Sequence, residues 1–566
     1  MSEGFYVLTA FDLHLLKAWC APACVRFEAQ TRRSATRFRQ HAAWLPLLLV
    51  AGCVAAFATT PVYGQAVKTP APPTPPTPTL PTPPLPTPML PAPTLPAPMA
   101  TVDLKLGESA EVALPGGGQA RVELLELREL RDEVRGAVRR ATVKVRVNSE
   151  TVELVSANYR LPTLVGGVRI DCPITAGYPR NSTQTTARLD PWGLDKDARL
   201  RLWPAQGPLI EPGTFQYPAK QAWFATATQM ANEPTYVDGG EKPGTGAVYY
   251  HYGLDIGGAE GMVDVVAATD GLVVSLGTQS LPGFEKTPVA PRYDVVYLLD
   301  PRGWFYRYSH LKTIAPALKL GGRVRRGEPI GVLGKEGGSG GWSHLHFDIS
   351  GRQPSGKWGI IDGYAFLWEA NLRERQPNLV AVARPHHFAL TGEAVRLDAS
   401  RSWSAAGKIA KFEWICTDGQ TATGALLDRR YAQAGVYSET VKVTDDAGRV
   451  DYDFAIVHVL DAADPKRLPP SIHAAFSPTM GIRAGMPVTF LVRTFRTTDG
   501  EETWDFGDGS APVTVKSDGN VKPLAADGYA KTTHAFAKPG VYLARVQRTD
   551  SNGFTATARL KVVVEP

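Results

Sequence analysis

The chain has 566 residues, 43% hydrophobic and 20% charged, which is the make-up of several globular domains and excludes a wholly disordered or fibrous protein. Its 54 glycines and 47 prolines suit short strands and turns better than long helices. The net charge of +6 is modest, carries no nucleic-acid signature and is compatible with approach to an anionic polymer such as a cell wall.

Half of that charge lies in the first 66 residues, where six Lys/Arg face three acids; the rest of the chain is +3. Residues 1–66 read as an export signal. Arg32, Arg33, Arg37 and Arg39 precede the apolar run "WLPLLLVAGCVAAFA", and small residues follow. The run is short for a membrane-spanning helix. The basic region begins late, as if the true start lay downstream of Met1. A second reading is a lipobox: "LVAGC" ends on Cys53, which would then carry a lipid. The membrane enters only through this signal or lipid. Cys20, Cys24 and Cys53 fall in or before the signal, leaving Cys172 and Cys416 in different domains. No structural disulfide and no cysteine metal site is expected.

Residues 67–100 are proline-rich. Proline at every second or third position removes backbone donors and fixes φ, so this segment reads as a semi-rigid polyproline II linker without a core. Residues 101–225 read as a β-rich domain. "ATVKVRVNSETVELVSA" alternates apolar and charged positions around a polar turn, the pattern of a half-buried hairpin. The preceding "LLELRELRDEVRGAVRRA" resembles an amphipathic helix, but Gly136 interrupts it, and two strands with a charged connection are preferred.

Residues 226–372 hold the densest chemistry. "GWSHLHFDIS" contains His344 and His346 in a β-prone run. Side chains at i and i+2 of a strand share a face, roughly 6.5–7 Å apart, so these imidazoles project together while Leu345 and Phe347 face the other way. Such a pair places one imidazole on a metal and its neighbour close by. "HYGLDIGG" supplies His251 and Asp255, with Gly253 allowing a sharp path between them, and "YRYSHLK" supplies His310. These four are the only histidines in the segment. Two imidazoles and a carboxylate would complete a three-ligand site with an open position. Asp348 shares the face of His346 and reads as a surface carboxylate, with orientation of a ligand as its other role.

In order, His-x-x-x-Asp, the lone "SHL" histidine, and His-x-His in "HLHF" resemble the lysostaphin-type (LytM-like) zinc endopeptidases of bacterial cell walls. "GGRVRRGEPIGVLGKEGGSGG" resembles the hairpin and glycine-rich loop before that family's last motif. The resemblance spans a little over a fifth of the chain. It implies that His251, Asp255 and His346 bind Zn2+. It implies too that His310 and His344 flank the reacting water, one as general base, the other stabilising the oxyanion or protonating the leaving amine. The implied substrate is the peptide part of peptidoglycan, in crosslinks or stems. Residues 337–341 read as a plain turn or a flap over the groove. Two other functions stay open: a catalytically silent relative that regulates another wall hydrolase, and a cell-surface adhesion protein.

The last third reads as two β-sandwich modules at 376–462 and 468–566. "ETWDFGDGS" and "HAFAKPGVYLARVQRTDSNG" resemble PKD-type immunoglobulin-like domains, and "VRLDASRSW", "KFEWICTDGQ" and "YAQAGVYSETVKVTDDAG" form a weaker copy upstream. The "DFG" here lacks the other kinase motifs. Other envelope proteins or polysaccharide are the expected partners of these modules. The polar, proline-containing "RERQPNLV" predicts a linker that leaves them separable from the metal-site domain. The expected architecture is mainly β and multidomain: an N-terminal β-rich domain, an antiparallel LytM-like peptidase domain, and two PKD/Ig-like sandwiches in an exported protein.

Overall fold

The computed structural model describes residues 90–182, 191–233 and 248–566. The export signal, the lipobox cysteine and most of the proline-rich linker lie outside the described residues. Among the described residues no helix is long and apolar enough to cross a membrane, and the only helices are Gly177–Asn181 and Tyr364–Arg375.

The end of the proline-rich segment is not a bare spacer. Met99 is buried in the main core and Leu90 packs on a second cluster beside it. The amides of Thr94 and Leu95 donate to the Pro301 carbonyl at 2.8 and 3.1 Å. Apolar side chains set between the prolines give this stretch a face to bury.

Two four-stranded sheets follow, and they share one core that includes Val122, Leu124, Val143, Ile170 and Leu200. The helix-like run is taken up by the strands Gln119–Arg131 and Val138–Val147. Between them the Asp132 carboxylate accepts the amides of Val134 and Arg135 at 3.0 and 2.7 Å, and Gly136 turns the chain with φ 65°.

The metal-site domain is built on a nine-stranded sheet. At its centre His344–Arg352 lies antiparallel to Phe305–Ser309 on one side and to Leu254–Gly257 on the other. Leu345, Phe347 and Ile349 point into a core closed by Phe366, Leu367 and Ala370 of the Tyr364–Arg375 helix. Alternation along the strand then sends His344, His346 and Asp348 to the opposite face.

The two C-terminal modules share a ten-stranded sheet, joined where Gly435 and Val436 pair in parallel with Thr555 and Ala556. The separable linker expected before them is not found. Val380 and Val382 are buried in the metal-site core, while Leu379, Ala381 and Ala383 are buried in the core of the first module. Alternate residues thus serve two cores at once. Ala475, Leu491 and Tyr529 of the second module also join the metal-site core. The polar residues around Gln376 and Pro377 hide an apolar run with strand period directly after them.

Candidate active site

Register places the acidic residue. Asp255 lies directly opposite His346, and Ser309 flanks His346 from the other strand. His251 arrives four residues before Asp255 through Gly253, whose φ is 82°. A Cβ there would sit 2.9 Å from the Asp348 Cβ and 3.0 Å from the Phe347 carbonyl oxygen, so only glycine passes.

Three donor atoms meet as a triangle. His251 Nε2 is 3.1 Å from Asp255 Oδ1 and 3.2 Å from His346 Nδ1, and His346 Nδ1 is 2.9 Å from Asp255 Oδ1. Among the described residues this is the one group of three or more metal-ligating side chains so assembled. An ion bound tetrahedrally at about 2.0–2.1 Å spaces its ligand atoms about 3.3 Å apart, which these edges approach. On the far side of the ring, His346 Nε2 lies 3.2 Å from Asp348 Oδ2. If Nε2 carries the proton, Nδ1 presents a lone pair to the triangle. The donor set fits a divalent cation.

Asp348 is therefore not a surface carboxylate. It is 1% exposed and touches Arg307 of the neighbouring strand at 3.4 Å, directly across the ladder.

His344 and His310 stand beside the triangle with their rings 4.6 Å apart. His344 Nδ1 is 3.1 Å from the Trp342 carbonyl oxygen, its Nε2 is 3.5 Å from Asp255 Oδ2, and the Trp342 indole stacks on its ring at 3.9 Å. His310 Nδ1 donates to the Glu336 carbonyl at 2.6 Å. With Nδ1 protonated, each ring turns Nε2 to the triangle side as its acceptor, that of His344 lying beside Asp255. His310 has φ 65°, a conformation that costs a non-glycine residue of order 1 kcal/mol. It is held there by Asp294, whose Oδ2 accepts the His310 amide at 2.9 Å and which Arg292 pairs through two nitrogens.

Electrostatics separate the groups. Burial alone would raise the Asp255 carboxyl, but the charges and hydrogen bonds of the surrounding imidazoles outweigh it and hold the group well below the usual carboxylate range. Burial depresses His344 well below an ordinary imidazole. Burial also depresses His310, against the pull of Asp294. His346 goes the other way, because Asp255 and Asp348 together overcome its burial.

Neither Asp294 nor the second C-terminal module was expected at the site. Tyr529 Oη accepts the Ser343 amide at 2.8 Å and bonds His473 Nδ1 at 2.7 Å. Arg493 donates to the Gly341 carbonyl at 2.6 Å, and Asn520 Nδ2 to that of Gly340 at 2.9 Å. The glycine-rich stretch at 337–341 is therefore fastened by the second module, and is neither a plain turn nor a loose flap. No sequence signal ties Arg493 or Tyr529 to the histidines.

Comparison with known proteins adds the family. The model for peptidase family M23 matches residues 249–356, and the model for the PKD domain matches 376–459 and 473–564. The chain is similar to the antimicrobial peptidase lysostaphin from Staphylococcus simulans, with 17% identity over 43% of this chain and 92% of that one at a TM-score of 0.21. It is similar to a putative M23 peptidase from Pseudomonas aeruginosa, with 16% identity, coverage of 48% and 94%, and a TM-score of 0.18. It is also similar to the PKD1 domain of the Vibrio cholerae metalloprotease PrtV, with 30% identity, coverage of 15% and 95%, and a TM-score of 0.13. His251, Asp255, His310, His344 and His346 all fall inside the first matched segment, and the two modules that follow it account for the other two matches: this chain carries a peptidase family M23 domain followed by two PKD domains.

Proposed function

We propose that the protein is a zinc-dependent endopeptidase, exported to the cell envelope, that hydrolyses peptide bonds in peptidoglycan crosslinks or stems. The observation that carries this reading is the His251–Asp255–His346 triangle with two buried imidazoles beside it. His251, Asp255 and His346 hold the ion; when bound, zinc makes water acidic near neutrality and polarises the scissile carbonyl. Asp348 orients His346, and Asp294 with the Glu336 carbonyl orients His310. His310 and His344 move the protons: one takes a proton from the attacking water, and the other serves the oxyanion or the leaving amine. The substrate class rests on the ordered motifs shared with the wall endopeptidases.

The test has two arms. Metal content is measured in the full-length protein and in His346→Ala, and purified peptidoglycan is digested with mass spectrometry of the products. Stoichiometric zinc in the wild type, its loss in the variant, and new amino and carboxyl termini in the released muropeptides are expected. Zinc retained in His346→Ala would overturn the ligand assignment; a zinc-loaded wild type that cuts nothing would leave a silent regulator.

A further inference from the structure

A cavity of about 310 Å³ opens between the N-terminal sandwich and the first PKD module, far in sequence from the metal triangle. Its charged lining is unbalanced, with five arginines against Asp398 and Glu393; Arg139 is paired with Asp132 at 2.8 Å, and Glu393 accepts the Leu390 amide at 2.9 Å. Arg160 and Arg401 share one carboxylate, Asp398, at 3.4 and 3.6 Å. The other oxygen of Asp398 is already taken by the amide and hydroxyl of Ser400, at 2.9 and 2.5 Å. Arg140 also lines the cavity and has no ion-pair partner among the described residues. Arg396, by contrast, sits at the rim with both its bonds made to Asp428, at 2.7 and 2.8 Å.

Arg401 also donates to the Arg384 and Asp398 carbonyls, but Asp398 is the one carboxylate that Arg160 and Arg401 pair with, and with Arg140 beside them the three guanidiniums repel one another. Burial, followed by the charges of Arg401 and Arg140, lowers Arg160 to about 10 even though Asp398 pulls the other way. His387 joins the lining uncharged: burial and then Arg401 bring it down to about 4, and its Nε2 has no hydrogen-bond partner. A packed protein gains nothing by gathering unpaired like charges around a void. An oxyanion in the void would receive forked donors from Arg140 and Arg160 and relieve that repulsion.

We propose that this cavity is a binding site for an oxyanion group, a carboxylate or a phosphate, borne by the polymer or peptide the protein acts beside. The site lies outside the M23 match and does not depend on hydrolysis, so it stands or falls separately from the proposed activity.

The experiment is calorimetric titration of the full-length protein at low ionic strength with two probes, inorganic phosphate and N-acetyl-D-alanine. Binding of at least one is expected with Kd near or below about 1 mM, weakening as salt is added. A phosphate preference would point to a phosphate-bearing polymer, and a carboxylate preference to the ends of peptide stems. Arg160→Gln should weaken binding about tenfold or more, and Arg140→Gln with Arg160→Gln should abolish it. Arg396→Gln, which removes an arginine already paired, should bind as the wild type does. Circular dichroism checks folding; if Arg160→Gln does not fold, Arg140→Gln at its exposed position carries the test alone. Failure of the wild type to bind either probe, or unchanged binding in the arginine variants, would overturn the proposal.

Discussion

Replacing Tyr529 with Phe removes one oxygen from the second PKD domain and should slow the hydrolysis proposed for the M23 domain. The hydroxyl accepts the buried Ser343 amide at 2.8 Å and pairs with His473 at 2.7 Å. Ser343 directly precedes His344, and Trp342 on its other side stacks on the His344 ring at 3.9 Å. A buried amide left without an acceptor costs about 1–3 kcal/mol. The segment escapes that cost only by shifting, and the shift carries Trp342 and His344 with it. If the whole cost falls on the alignment of His344 in the transition state, kcat drops by about 5- to 150-fold. His251, Asp255 and His346, the proposed ligands, lie on other contacts, so metal content should stay at the wild-type level, and KM should change little. The assay is steady-state hydrolysis of a soluble crosslinked muropeptide, with zinc measured on the same samples. A folded, zinc-loaded Tyr529→Phe with kcat within about twofold of wild type would refute the coupling, since even the lower end of the amide cost predicts more.

Three further outcomes follow from the same structure. His344→Ala should retain its zinc and lose turnover by about 10²- to 10⁴-fold, as expected for a proton-transfer residue outside the ligand triangle, and metal analysis beside kinetics checks both halves. Gly341→Ala should destabilise the chain, because its Cβ would lie 2.0 Å from Asn520 Oδ1 on a residue with φ 96°; adding Asn520→Ala should recover the part due to the clash, read as melting temperature. Burial lifts the Glu233 carboxyl from 4.5 to about 7, against the amides of His386 and Met230 that favour its ionised form. Its folded state therefore prefers the neutral acid: that stabilisation is full below the unfolded value and is lost as pH rises through the folded one, a swing of roughly 3 kcal/mol. Melting temperatures at about pH 5 and about pH 8 should differ more in the wild type than in Glu233→Gln, and equal differences would count against the assignment.

What could be read from the sequence divides along physical lines. The shared face of His344 and His346 needs only the strand period. That Asp255 stands opposite His346 needs a strand pairing across 91 residues, which no local pattern encodes. Asp348 shows the same limit: its face is legible, but its burial depends on Arg307 of a different strand. The Asp294 support for His310 depends on a left-handed backbone at that histidine, a conformation that histidine tolerates better than most residues but that no local pattern specifies. The boundary after the M23 domain misled because charge and proline at 373–377 outweighed the alternating apolar residues from 379 to 383, whose second face had no visible partner until the second core was in view. The helix-like run at 124–141 was resolved by one glycine, since a break there suits a hairpin and spoils a helix.

The shared core around Tyr529 also sets an order of assembly. His251, Asp255, His310, His344 and His346 are all synthesised by residue 346, yet the oxygen that receives the Ser343 amide arrives only 186 residues after that amide. A chain still emerging from the ribosome, or one nicked between the two PKD domains, holds those five side chains without the brace beside one of them. The alignment of the segment that carries His344 is thus a property of the two domains together, and neither holds it alone.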